Sequence, residues 1–241
     1  MASSEPPKGN EHFNAEAAAW DQNPDVHKAS ALALEAILTN VPSLKSNPKA
    51  LNVLEIGCGT GLLSFLIARH VRFLTALDSA QGMIDALNIK LSSQPSVQNI
   101  LPISAELSDP NDSRISMDPV TQQAVPSRRF DLIISHLVLH HIPSLSSILQ
   151  IMHGCLKSGG QVALTDFEDF GPEARRLHRE AKMEGVMRHG IERGETGRLM
   201  REVGFVDVRV KEGFEMKTWV EKTPGAGVVR GGARRRRYFR F

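Results

Sequence analysis

In Val53-Leu54-Glu55-Ile56-Gly57-Cys58-Gly59-Thr60-Gly61-Leu62-Leu63, an apolar run gives way to three alternating glycines and then at once to a helical pattern. Glycine permits left-handed turning and lets a ligand lie against bare backbone. The spacing is GxGxG, whereas a dinucleotide fingerprint, GxGxxG, wants glycine or alanine where Leu62 stands. A loop tuned to a pyrophosphate is therefore not the best match. Asp78 ends the next apolar run, 21 residues after Gly57, where a carboxylate can accept hydrogen bonds from both hydroxyls of a ribose. The alternative is that Asp78 only caps the helix that follows. A further group, His136, His140 and His141, stands at and just past the end of another apolar run. Histidines there can take a proton from a substrate or hold it, or can simply pack around a helix start.

Short apolar runs alternating with helical ones must position these groups. The runs are 51–56, 72–77, 99–104, 130–135 and 161–167, with GLLSFLIARH and AQGMIDALNIKL among the helical stretches between them. Strand, helix, strand repeats of this kind imply right-handed crossovers and a parallel sheet covered on both faces. The fold class is α/β, a Rossmann-like doubly wound, mostly parallel sheet. Phe13, Ala17 and Trp20 recur at i, i+4 and i+7 and predict a short helix ended by Asn23-Pro24, with a second helix over 25–38. The insert 108–129 holds three prolines and is expected to be an exposed loop. Beyond the fifth run the pattern predicts helices over 172–188 and 194–203 and a strand or bent hairpin over 205–219. The expected organisation is a disordered segment 1–10 and a single domain 11–222. Within it lie a helical lid (11–40), a donor-binding core (50–167) and substrate-covering helices with a sixth strand (168–222), followed by a Gly/Arg-rich, irregular tail (223–241).

VLEIGCGTGLLS, LTALDSAQGMI, FDLIISHLVLHHI and LKSGGQVALTDF, in that order and spacing, resemble the class I S-adenosylmethionine-dependent methyltransferases. The likeness is strong over Leu51 to Phe167, and FNAEAAAWD and MRHGIERGETGRLMREVGF are similar to members acting on small molecules. It implies a seven-stranded sheet and S-adenosylmethionine as donor. Gly57, Cys58, Gly59 and Gly61 would surround the donor's amino-acid portion, with Asp78 and Ser79 at its ribose. Glu55 would orient the loop or the donor's ammonium, and Ala105 and Glu106 would meet adenine, with Asp109 as a substitute. His136, His140 and His141 become candidate catalytic residues. His189 becomes a substrate candidate by its place in the covering segment. Phe13 and Trp20 would close over donor or acceptor, or merely pack on the core. The resemblance also implies a last antiparallel strand, which would have to come from Arg234 to Phe241. Four successive arginines suit an inserted strand badly, because burying unpaired charge is costly. That strand is expected to be missing or incomplete.

Methyl transfer is an in-line displacement, so positioning and exclusion of water do much of the work, and a base matters when the acceptor must lose a proton. Metal-assisted O-methylation wants carboxylates at the ends of the fourth and fifth strands; Asp166 supplies one, but Ser135 and His136 hold the other place, so no metal is expected. No Asn/Asp-Pro-Pro-aromatic signature follows the fourth strand, which argues against nucleic-acid acceptors. The expected acceptor is a small-molecule metabolite, methylated on O, N or C. The alternatives are an RNA or protein methyltransferase using the basic tail, and a non-catalytic partner subunit.

The chain has 241 residues, 41% apolar and 23% charged, with a formal net charge of +2. Six arginines and no acid stand between Arg230 and Phe241, so residues 1–229 carry +2 − 6 = −4. The basicity thus belongs to the tail and is weak ground for a nucleic-acid partner. Two cysteines, Cys58 and Cys155, form no CxxC pair. With no signal-peptide pattern and no long apolar run, the expectation is a cytoplasmic protein with no membrane partner.

Overall fold

The computed structural model describes residues 11–118, 123, 125, 127–175, 186–219 and 233–240. It opens with α1 (Glu11–Trp20) and α2 (Pro24–Asn40), divided as expected at Asn23-Pro24. The Asn23 side chain accepts the amide of Asp25, and Pro24 fits the first helical position, where no amide is needed. After α3 (Pro42–Ser46) come β1 (Asn52–Ile56), α4 (Leu62–Ala68), β2 (Phe73–Asp78), α5 (Gln81–Ser93), β3 (Ile100–Ser104), β4 (Phe130–His136), α6 (Leu145–Cys155) and β5 (Leu156–Phe167). The chain continues through α7 (Pro172–Arg175), α8 (Arg193–Val203), β6 (Lys211–Trp219) and β7 (Ala233–Arg240).

The sheet runs β3-β2-β1-β4-β5-β7-β6, with the first five strands parallel. Its order reverses between β1 and β4, and in open α/β sheets ligands bind outside the carboxyl ends of the strands at such a reversal. Both faces are covered, which is why β4 reads as an unbroken apolar run: Leu132, Ile133 and Ile134 are fully buried. On one face Val53, Leu74 and Leu132 pack with Ile37 of α2, Ile67 of α4 and Leu87 of α5. On the other, Leu54, Phe130 and Ile133 pack with Leu149 and Met152 of α6 and Met200 of α8.

Three expectations are corrected. The insert 108–129 is not simply exposed: Ile115 is buried in the α6-side core, and the Arg128 guanidinium sits 5.0 Å from the Phe130 ring. The strand expected over 205–219 begins at Lys211, with 205–210 lacking regular structure, and of the helix expected over 172–188 the described residues hold a helical turn at Pro172–Arg175 and a non-helical stretch at 186–188. The third correction concerns the tail. The last antiparallel strand is present: β7 lies between β5 and β6. Its register explains how the arginines are tolerated. Only Tyr238, Phe239 and Arg240 pair with β5, opposite Phe167, Asp166 and Thr165. Arg234 to Arg237 run on past the end of β5 and pair with β6 alone. The charged run is therefore not inserted between two strands, and the composition argument against it does not apply. The segment 1–10 lies outside the described residues.

Candidate active site

The glycine turn leaves β1 and enters α4 with Gly57, Gly59 and Gly61 all at positive φ (73°, 53° and 85°). Their roles differ. A side chain on Gly57 would collide with Val138, its Cβ only 2.2 Å from Val138 Cγ2, so this glycine lets the turn after β4 close on the loop. Gly61 faces Leu87 of α5 at 2.5 Å from a would-be Cβ and starts α4. Gly59 alone faces open space, which is what a ligand cradle requires. The amides of Gly57 and Cys58 both donate to the Leu77 carbonyl, and that of Gly59 donates to Asp78 Oδ2 at 2.8 Å. The loop's open face is therefore the bare backbone of Gly59, the first two amides being taken up by Leu77. The Cys58 thiol is buried and its pKa raised by desolvation, which makes it inert.

Asp78 holds this loop and caps α5 as well: its Oδ1 accepts the Ala80 amide at 2.9 Å. Both readings of Asp78 are thus compatible, since a carboxylate has about four acceptor sites and three are taken, by the amides of Gly59, Ala80 and Ser79. Burial raises its pKa against the pull of those amides. Ser79 follows it, and the Ala105 amide donates to the Asp78 carbonyl at 2.8 Å, so Ala105, itself buried, sits beside the carboxylate. Glu106 points to solvent, and Asp109 caps its own turn through the Asn111 amide. Neither is brought to Asp78 by any contact. Glu55 is buried under the loop with Oε2 accepting from Ser64 at 2.6 Å; desolvation pushes its pKa up to about 8.

At the carboxyl ends of β4 and β5 the histidines separate into two arrangements. His136 Nδ1 lies 2.8 Å from Thr165 Oγ1, while its Nε2 is buried with no partner. Burial lowers its pKa to about 4, so the ring is neutral at pH 7. Next to it Leu137 is forced to φ 60°, an unusual conformation for a bulky residue and one that recurs where strain is held at functional sites. His140 Nδ1 meets Asp166 Oδ1 at 2.6 Å, and both side chains are buried. Asp166 also accepts the amides of His140 and Phe167. Burial alone would raise the Asp166 pKa; the His140 charge and these hydrogen bonds overcome it and hold the carboxyl below its usual value. His141 stacks on His140 at 4.0 Å and receives the Phe13 ring edge-on at 5.1 Å. His189 lies in a segment bound to the same turn, in which the amides of Met187 and Arg188 donate to the His140 carbonyl. Trp20 packs with Ala17 and Met83 in a small cluster of its own, under α1.

The sequence reading passed over several residues that build this site. Asp166, which the sequence offers as a metal ligand, pairs with His140 instead; its position at the end of the run 161–167 was the available signal. Asp21, at the α1–α2 corner, accepts from Thr60 Oγ1 of the glycine turn at 2.5 Å and pairs with Lys90 of α5 at 2.6 Å. The Asn14 side chain takes the Gly82 amide at 2.7 Å, so α1 is fastened to both the loop and α5. Arg188 donates to the carbonyls of Leu139, Ile142 and Pro143 and pins the covering segment over the histidines. Nothing in sequence spacing marks these long-range partners.

A family model described as a methyltransferase domain matches residues 26–210. An uncharacterized methyltransferase of Mycobacterium tuberculosis is 26% identical over 115 residues, 48% of this chain and 50% of that protein. The ubiquinone biosynthesis O-methyltransferase of Coxiella burnetii is 28% identical over 114 residues, 47% of this chain and 42% of its own. The chain thus spans about half the length of the curated relatives it matches. Among solved structures, the DhpI–SAH complex superposes with a TM-score of 0.56 at 17% identity, covering 97% of this chain and 94% of that one, a likeness of fold.

Proposed function

This chain belongs to the methyltransferase domain family, and from that premise we propose that it transfers a methyl group from S-adenosylmethionine to O, N or C of a small-molecule acceptor. The observation that carries the reading is the glycine turn, tied to Asp78 and open at Gly59, directly beside the histidine-bearing turn that Val138 packs onto it. That some similar proteins are named for small-molecule chemistry, the Coxiella burnetii O-methyltransferase among them, supports the acceptor class.

The residues present fit the donor. Asp78 has acceptor capacity left for a ribose hydroxyl, the space at Gly59 admits the amino-acid portion, and Ala105 offers an apolar wall next to Asp78. S-adenosylmethionine, when bound, supplies an electrophilic methyl on a sulfonium whose charge is lost as the methyl moves. The chain's own part is to position the acceptor and exclude water. α1 does the second, fastened through Asp21 and Asn14. His136, neutral and with no partner for Nε2 among the described residues, offers one polar ring nitrogen at the mouth of β4 but is too weak a base to keep a proton. The base role falls to His140, whose ring Asp166 holds in place through Nδ1. For an acceptor that must lose a proton this arrangement is worth roughly 10²–10⁴-fold in rate.

A tritiated-methyl transfer screen of the full chain against metabolite extract tests the proposal. Label should enter a small-molecule fraction and be abolished in Asp78→Ala. Incorporation that survives that substitution, or that appears only in macromolecules, contradicts it.

A further inference from the structure

Away from the donor site, a groove of about 470 Å³ runs between α8 and the chain entering β6. Its lining holds Arg193, Arg201, Arg209 and Lys211, with Gly197 and Val210 between them. Gly197 keeps the floor flat, since a Cβ there would stand 3.2 Å from Val210 Cγ2. Four cations in one groove repel each other unless acids answer them; Glu168 answers Arg193, Glu192 and Glu202 are engaged elsewhere, and Glu195, Asp207 and Glu212, adjacent in sequence, do not line the groove. Glu168 takes Arg193 at 2.6 Å, Glu202 takes Arg198, and both oxygens of Glu192 cap the α8 amides of Gly194 and Glu195. Arg201 donates only to the Gly197 carbonyl, and Arg209 and Lys211 meet no carboxylate among the described residues.

From this concentration we infer that the α8–β6 groove binds the phosphoryl group of a small organic phosphate, at a site separate from the donor pocket. Its volume lies in the ordinary range for small-molecule sites. Arginine matches phosphate oxygens by paired N–H donors, and a dianion answers two or three cations where a carboxylate would answer one. The acidic balance of residues 1–229 makes the cluster a local feature and not a spillover of general basicity. The inference does not depend on the methyl-transfer reading, because no groove residue belongs to the donor site.

The test uses the full chain, with inorganic pyrophosphate as probe, by calorimetry at low salt. Removing two phosphate-facing cations by Arg209→Ala with Lys211→Ala should weaken pyrophosphate at least about tenfold, and Lys211→Arg should keep the affinity. An unchanged melting temperature shows that the double variant is folded. Asp78→Ala should leave pyrophosphate binding intact, so failure here and failure of the donor reading are distinguishable. Absence of binding at about 10 mM pyrophosphate, or affinity untouched by the double substitution, overturns the proposal. So does a short single-stranded oligoribonucleotide bound about 100-fold more tightly than pyrophosphate and lost in the same variant, since the groove would then be part of a polynucleotide surface.

Discussion

Glu55 is a carboxyl that burial keeps protonated at neutral pH, its pKa near 8. If the donor's ammonium approaches it, the cation must pull that pKa down, and a proton leaves. Calorimetry of S-adenosylmethionine binding at pH 7 in buffers of different ionisation heat should therefore show release of up to about one proton. Glu55→Gln should abolish the release; identical release in that variant would mean that Glu55 does not face the ammonium. His140 and Asp166 give a second expectation. Asp166→Asn should lower transfer to a hydroxyl acceptor about 10²-fold or more, with donor affinity within about twofold; equal loss in both would assign the pair to structure only. At this scale the sequence disclosed what depends on residue type at fixed spacing, Asp78 and the glycines above all. It did not disclose that Gly61 serves packing, that the Gly57 and Cys58 amides are occupied by Leu77, or that His140 finds Asp166 26 positions away. Those facts depend on how strand ends meet, and a linear pattern carries no record of it.

α1 is a short helix held by a small apolar cluster, Phe13, Ala17 and Trp20 against Met83, and by a few polar contacts. Asp21 reaches both Thr60 and Lys90, and its pair with Lys90 is partly exposed. Such a pair contributes at most about 1 kcal/mol, so Asp21→Ala should hardly change the melting temperature. It should nevertheless loosen the helix over the glycine turn. Hydrogen exchange of α1 amides should accelerate and S-adenosylmethionine should dissociate several-fold faster; unchanged dissociation would remove α1 from the donor gate. Helices α1, α2 and α8 were legible because a 3.6-residue apolar period and terminal caps are local properties. β7 was not legible because composition carries no register: the arginines are poor neighbours for β5, but among the described residues only Tyr238, Phe239 and Arg240 pair with it.

Among the buried groups whose neutral forms the fold favours, Glu55 and His136 act on stability in opposite directions of pH. Folding raises the Glu55 pKa from 4.5 to about 8, so its contribution is complete below about pH 4.5 and is lost as pH rises through 8. Folding lowers the His136 pKa from 6.5 to about 4, so its contribution is complete above about pH 6.5 and is lost as pH falls through 4. Unfolding free energy should peak between about pH 5 and 7, with His136→Asn flattening the acid limb and Glu55→Gln the alkaline one. Denaturant titration across that range checks it, and an acid limb unchanged in His136→Asn would count against a buried neutral ring. The central claim, that the glycine turn and Asp78 form a donor site, is tested most directly by calorimetric titration of S-adenosylmethionine into the full chain and into Asp78→Ala. The account predicts a dissociation constant on the order of 1–100 μM for the full chain and weakening of about 100-fold or more in the variant. No binding at about 1 mM donor, or equal affinity in the two proteins, would contradict it.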